Sequence, residues 1–221
     1  MTLGAITDVV LSGSYKIATV TVTNLIGAVG QNYTIAPARA AFSTGFTAPA
    51  AATTVTIELL KIGDIYGGGK VAYIFVDGNT GYVAGQVHGL IAATEDQSAG
   101  IAWSNITSTA IGTTGTVIGT GQANTTAIVS QSGSTSGAAW LCNDLNEGGY
   151  QDWYLPSKDE LAKLYAMKVA GFGNFASAFY WSSTEDTSSN FAWDQHFDSS
   201  GYQTAFLKSD TTVYVRAVRT F

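Results

Sequence analysis

One helix start constrains this chain more than any other feature. Pro156 is followed by Ser157-Lys158-Asp159-Glu160. This is the spacing of a capping box, in which Ser157 accepts from the Glu160 backbone and the Glu160 side chain reaches back to the Ser157 N–H. Leu161, Leu164 and Tyr165 then recur on one side, so the pattern predicts a helix with that stripe buried. A second helix is predicted from near Ser136, with Trp140, Leu141 and Leu145 on one side and Gly148-Gly149 as its stop. The surrounding sequence reads as strands and turns, and strands, two helices and strands again is the order of an α+β domain.

The texture changes near residue 61. Before it, "ITDVVL" and "YKIATVTVT" flank a Ser12-Gly13-Ser14 turn, and "TTVTIELLKIG" is a further strand. Residues 1–60 are therefore expected to form a small all-β module for attachment or oligomerisation, and residues 61–221 a separate domain. In the second part, Val71 to Val76, Gly81 to Val87 and Gly89 to Ala93 read as strands, and Asp77-Gly78-Asn79 as a turn. The tract "SNITSTAIGTTGTVIGTGQANTTAIVSQSGSTSG" has little charge and no clear period, and is expected to be a packed surface loop. Val213 to Phe221 alternates apolar and polar as a half-buried strand does.

Only 12% of the 221 residues are charged, against roughly 25% in an average globular domain. Solubility rests on hydroxyls and backbone. The net charge of -6, with scattered Lys and Arg, gives no footprint for a phosphate backbone, so no nucleic-acid partner is expected. No apolar run is long enough to cross a membrane as a helix, and "MTLGAITDVVLSG" has no basic, apolar leader pattern. Synthesis in a host cytoplasm without export is the expectation.

The chemistry-bearing residues favour structure over catalysis. Cys142 is the single cysteine and sits at helical spacing from Ala138, as a small buried hydrophobe would. Glu95-Asp96, Asp144 with Glu147, Asp159-Glu160 and Glu185-Asp186 read as helix-start or turn carboxylates. Asp194, His196 and Asp198 share a face at strand spacing and form a weak candidate acid/base or metal cluster. Gly67-Gly68-Gly69 lacks the ending of a phosphate loop and reads as a turn. No enzyme activity, cofactor or metal is expected.

Three stretches together are specific: "GGYQDWYLPSKDELAKLY", "FYWSSTE" and "YVRAVRTF". With "IGDIYGGGKVAYIF", "HGLIAATEDQS" and "LCNDL", they resemble a family of C-type-lectin-fold domains from phage fibres and bacterial surface proteins. This family includes the variable proteins of diversity-generating retroelements. The resemblance covers about residues 62–221 and implies a C-type lectin fold for the C-terminal domain, preceded by the all-β module. Arg216 and Arg219 are expected to pair with Asp152, Asp159 or Glu160 around the second helix.

In such variable proteins, as the resemblance implies, randomised AAY-type codons cannot encode Trp, Gln, Lys, Glu or Met. Between Asp186 and Thr212 only Trp193, Gln195, Gln203 and Lys208 lie outside the permitted set. The implied ligand patch comprises Asp186, Thr187, Asn190, Phe191, Trp193, Asp194, His196, Asp198, Ser199, Tyr202, Thr204, Phe206, Leu207, Ser209 and Asp210. The implied protein is a virion-surface or fibre adhesin, a homo-oligomer joined to other virion proteins through residues 1–60. Its target would be a host cell-surface protein or glycan. The alternatives are a structural decoration protein that binds nothing and a formylglycine-generating enzyme. The "Glu-Pro-Asn" and "Trp-Asn-Asp" elements of calcium-dependent lectins are missing.

Overall fold

A computed structural model describes residues 60–221 apart from residue 85, together with four backbone strands in the first 59 residues. The chain divides into two compact units, Met1–Lys61 and Ile62–Phe221. In the first, β1 (Ile6–Leu11) pairs antiparallel with β2 (Ala18–Val22), and β3 (Asn32–Ile35) with β4 (Val55–Glu58). The Ser12-Gly13-Ser14 turn lies outside the described residues. "Asn32–Ile35" was not among the strands anticipated from sequence.

The second unit holds two antiparallel sheets and three helices, a mixed α+β architecture. One sheet has the order β11-β7-β6-β5, built from Val218–Thr220, Gly89–Ala92, Gly69–Ile74 and Ile65–Tyr66. The other has the order β10-β9-β8, from Gln203–Leu207, Phe191–His196 and Phe179–Glu185. Every residue of β7 is buried, as expected of a strand enclosed on both faces. Among the described residues of the strand anticipated from Gly81 to Val87, none is in a strand. Asn79 instead organises turns there: its backbone N–H donates to the Val76 carbonyl at 3.0 Å, and its side-chain oxygen accepts from the Val76 N–H at 3.0 Å.

The helices are α1 (Gly121–Ser130), α2 (Ala138–Asn143) and α3 (Lys158–Val169). The tract expected to be loop contains α1, whose buried face escaped the periodicity because it is Gly121, Asn124, Thr125 and Ile128. Its polar members are paired. Asn124 exchanges two hydrogen bonds with the Gly115 backbone, and Thr125 Oγ1 accepts from Leu155 N–H at 3.0 Å. α2 is shorter than expected and turned differently. It buries Ala138, Ala139 and Cys142, while Trp140 and Leu141 are half-buried and Leu145 lies beyond its end.

α3 begins as anticipated, with the full capping box at Ser157 and Glu160. Glu160 is completely buried, and its carboxylate accepts from Ser157 N–H at 2.7 Å and Gly119 N–H at 2.8 Å. It therefore ties the start of α3 to the start of α1. A side chain at Gly121 would meet that carboxylate, its Cβ falling 2.2 Å from Glu160 Oε2, so the two starts approach as closely as only glycine permits. Leu161, Leu164 and Met167 form the buried stripe, and Tyr165 is half-buried.

The terminal segment is not a simple half-buried strand. Val213, Val215, Arg216, Ala217 and Val218 are all buried, because the segment passes between the two sheets. Tyr214 bonds β8 on one side, donating to Phe179 O at 2.8 Å and accepting from Trp181 N–H at 3.0 Å. Val218 pairs with Ala92 of β7 and with Tyr154. Arg219 pairs with Asp152 at 2.7 Å, as expected, but Arg216 pairs with Asp96 instead of the α3 carboxylates, which the helix start already uses.

A second buried ion pair closes the core. Lys208 Nζ lies 2.5 Å from Glu185 Oε1 and 4.8 Å from the Trp103 ring centroid, and Glu185 also accepts from the Ile111 and Gly112 N–H groups. Replacing Lys208 with Met leaves that carboxylate buried and uncompensated, with an expected loss of about 3–5 kcal/mol. Replacing Glu160 with Ala strands two backbone donors and is expected to cost about 2–4 kcal/mol. Urea unfolding of each variant against the parent checks both. An unchanged midpoint in either would show that the corresponding contact does not hold the fold.

Candidate functional site

The sheet β10-β9-β8 carries most of the candidate patch. Strand alternation divides the candidate residues between its two faces. The register pairs Phe191 with Leu207, Trp193 with Ala205 and Gln195 with Gln203 on one face. There the start of α3 leans on the sheet: Lys158 Nζ lies 3.1 Å from the Trp193 ring centroid, and Gln203 Nε2 donates to Lys158 O at 2.8 Å. Trp193, Gln195 and Gln203 thus belong to the frame.

On the other face, Asp194 pairs with Thr204 and with Trp181, and Phe179 pairs with His196. Phe179 and His196 stack with centroids 4.1 Å apart and planes 11° apart. Phe206 lies 4.6 Å and Tyr202 5.8 Å from Phe179. The result is a four-ring group, half-buried except for Tyr202, which is 48% exposed. Phe179 was not among the candidates. Its signal was its place two residues before Trp181, which puts both on one face of β8.

The remaining candidates gather at the two ends of the β9–β10 hairpin. Asp186, Thr187 and Asn190 lie in the β8–β9 turn, near Leu207, Ser209 and Asp210, because Lys208 N–H donates to Asn190 O at 2.9 Å. Asp198 and Ser199 lie in the opposite turn, where Asp198 Oδ1 accepts from the Ser200 N–H at 2.8 Å and its other oxygen is 3.1 Å from His196 Nδ1. These contacts with Ser200 hold the Asp198 carboxyl below the usual range. The candidates therefore make an end, a face and another end rather than one flat patch.

Asp194 is a correction. It is 1% exposed and is not a surface contact. Its cross-strand neighbours Trp181 and Thr204 lie on the face that packs inward, next to the core residues Trp181 and Ala192. Neither carboxylate oxygen has a hydrogen-bond partner of good geometry, although the Phe206 N–H lies close enough to favour ionisation slightly. Burial foremost, and then the Asp210 charge, push its pKa from 3.8 to about 8. Asp194 and Asp198 do not converge on His196 as a cluster, and the described residues contain no group of three His, Cys, Asp or Glu side chains that could hold a metal.

Other sites offer less. A cleft of about 620 Å³ lies beside α2, lined by Trp140, Leu141, Asp144 and Asn146 among others. Cys142 is fully buried, and burial pushes its thiol far up, so it is not a ready thiolate. Among the described residues no helix is long and apolar enough to cross a membrane.

Buried ion pairs clamp the core, and the β9–β10 hairpin at the edge of the sheet carries side chains of mixed chemistry. Residues 92–219 match the family model described as the Lcl C-terminal domain. The chain belongs to this family, and the match contains the "DWYLPSKDEL" helix start and the "FYWSSTE" strand. No curated protein matches the chain.

Asp194 has a signed consequence for pH. A carboxyl whose folded pKa is raised is protonated in the folded protein while the unfolded chain ionises, so its contribution to stability is full below about pH 4 and lost as pH rises towards about 8. Asp194→Asn removes this dependence. Its unfolding free energy relative to the parent's is expected to rise between those pH values, by a few kcal/mol in all, as read from denaturation curves at each pH. Parallel curves for the two proteins would place the ionisation elsewhere.

Proposed function

We propose that the second unit has a C-type lectin fold and displays a ligand-binding surface, on a virion or fibre, for a host cell-surface protein or glycan. The observation that carries the reading is the ring group on β8, β9 and β10: Phe179, His196, Phe206 and the exposed Tyr202, held on a rigid sheet beside turns rich in Asp, Ser and Thr. Aromatic side chains offer large contact area with few torsions to fix, and small polar residues offer adaptable hydrogen bonds, as in antibody paratopes. Membership of the family supports a surface ligand-binding role.

The same reading assigns residues 1–60 to attachment and assembly into homo-oligomers. Repetition then compensates for weak single sites, because linked copies raise the effective concentration of the second contact. Template-driven diversification fits the segment in one respect: Trp193, Gln195, Gln203 and Lys208, which such a mechanism cannot write, all make frame contacts. In this proposal the domain performs no catalysis and needs no cofactor.

The test is binding of bead-coupled protein to a panel of bacterial cells and to a glycan array. The double variant Tyr202→Ala, Phe206→Ala is expected to lower binding at least about tenfold, with circular dichroism unchanged. Absence of binding by the multivalent parent protein would leave a structural decoration role instead.

A further inference from the structure

Five aromatic rings of this unit are already covered by the protein's own cations: Trp193 by Lys158, Tyr73 by Lys163, Trp103 by Lys208, Phe175 by Arg216 and Tyr150 by Arg219. None of these cations lies on the Phe179, Tyr202 and Phe206 group. Yet that group stands on the same face of the sheet as Asp194, a buried carboxyl with no ion-pair partner and no hydrogen bond of good geometry, only the Phe206 N–H lying near. Elsewhere the buried acids are satisfied: Glu160 by backbone donors, Glu185 by Lys208, and Asp96 by Arg216. An aromatic surface beside an unpaired carboxylate has the electrostatics of a cation site with its cation missing.

We propose that the Phe179, His196, Tyr202 and Phe206 face binds an alkylammonium group, of the kind carried by a lysine side chain or an amino sugar, with Asp194 beneath as its counter-charge. This rests on the display reading and gives its ligand a chemical class. The ammonium sits over the ring faces, whose quadrupoles attract it within about 6 Å of a centroid. It need not touch the carboxylate, because a charge in a poorly screened interior acts over several ångströms.

The neighbouring groups agree in sign. Asp210, in the segment after β10, adds negative potential at Asp194. Asp198, in the turn after β9, faces His196. His196 on β9 and Tyr202 before β10 are further titratable side chains of the face, and β8 contributes Phe179, Trp181 and, opposite Ala192, Glu185, whose charge Lys208 balances. Lys208 is committed to Glu185 and Lys158 lies over Trp193 on the opposite face. An arriving ammonium favours the ionised form of Asp194, so binding releases a proton and strengthens as pH rises.

The experiment uses the full chain and a cationic and a neutral probe, Nα-acetyl-lysine methylamide and its Nε-acetylated form, titrated by NMR. Glucosamine and N-acetylglucosamine form a second pair, which distinguishes an amino-sugar source from a lysine source. The cationic member of a pair is expected to bind about tenfold more tightly. It should move the ring resonances of Phe179, His196, Tyr202 and Phe206, and the lysine probe, whose ammonium stays charged over this range, should gain about tenfold more affinity between about pH 6 and about pH 9. Asp194→Asn is expected to lose both the charge preference and its pH gain, any residual pH dependence belonging to His196. Tyr202→Ser, at an exposed position, gives an independent arm with the same loss of preference should Asp194→Asn fail to fold. Equal affinity for charged and neutral probes, shifts confined to other residues, or variants that bind as the parent does would each overturn the proposal. Cell binding that persists without any preference for the cation sinks this inference alone. Cation binding without cell binding sinks only the display reading.

Discussion

The buried guanidinium of Arg216 is the constraint on which the rest of the C-terminal unit depends. It is 1% exposed, stacks 4.3 Å from the Phe175 ring centroid and donates to Asp96, Ala93 O and Gly173 O. Those acceptors come from the segment after β7 and from the connection between α3 and β8, so one planar group fixes the terminal segment against both. Asp96 extends the link by accepting from the Tyr180 hydroxyl at 2.9 Å, and that hydroxyl accepts from Ala176 N–H. Burial pushes the Asp96 carboxyl up, and Arg216 and Tyr180 pull it back only in part. Arginine suits this position because its planar fork serves several acceptors at once.

With the terminal segment pinned, the two sheets have a shared strut. Tyr214 bonds to β8 and Val218 to β7, so the β9–β10 hairpin is anchored through β8 to the element that also secures the other sheet. The hairpin itself needs few contacts of its own. Its face towards α3 is held by Lys158, Trp193, Gln195 and Gln203, and its far end by the pair of Lys208 and Glu185.

Legibility in the sequence followed how local each signal was. The capping box at Ser157 and Glu160 and the Asp77-Gly78-Asn79 turn are local chemistry and were readable. α1 was not, since its buried face is filled by Asn124 and Thr125, whose partners lie far along the chain and leave no apolar period. The terminal segment misled for the complementary reason: alternation predicts one wet face, but Arg216 and Arg219 are polar residues buried by distant acceptors. The partner of Arg219 was foreseeable from the motif around Asp152, whereas Asp96, 120 residues from Arg216, was not. Of the candidate patch, the hairpin was legible, but the division between its faces required the register. That register turns Trp193 towards α3, puts Asp194 on the same face as the rings and brings in Phe179.

Consistency across levels explains why Asp194 stands apart. In a sequence with so few charges, burying an acid without a donor runs against the pattern the rest of the domain keeps, where each other buried charge meets an opposite charge or backbone N–H groups. Such a group costs stability at neutral pH, either through desolvation or through the proton it must hold. The cost falls on the face that carries the Phe179, Tyr202 and Phe206 rings, which take none of the five internal cation contacts, and on the hairpin that the frame supports from elsewhere. A fold whose stability lay in the hairpin would have little tolerance for that exception. Here the ion pairs of Arg216, Arg219 and Lys208 hold the core, so the cost of Asp194 falls outside them, on the hairpin, where the proposed ammonium ligand would relieve it.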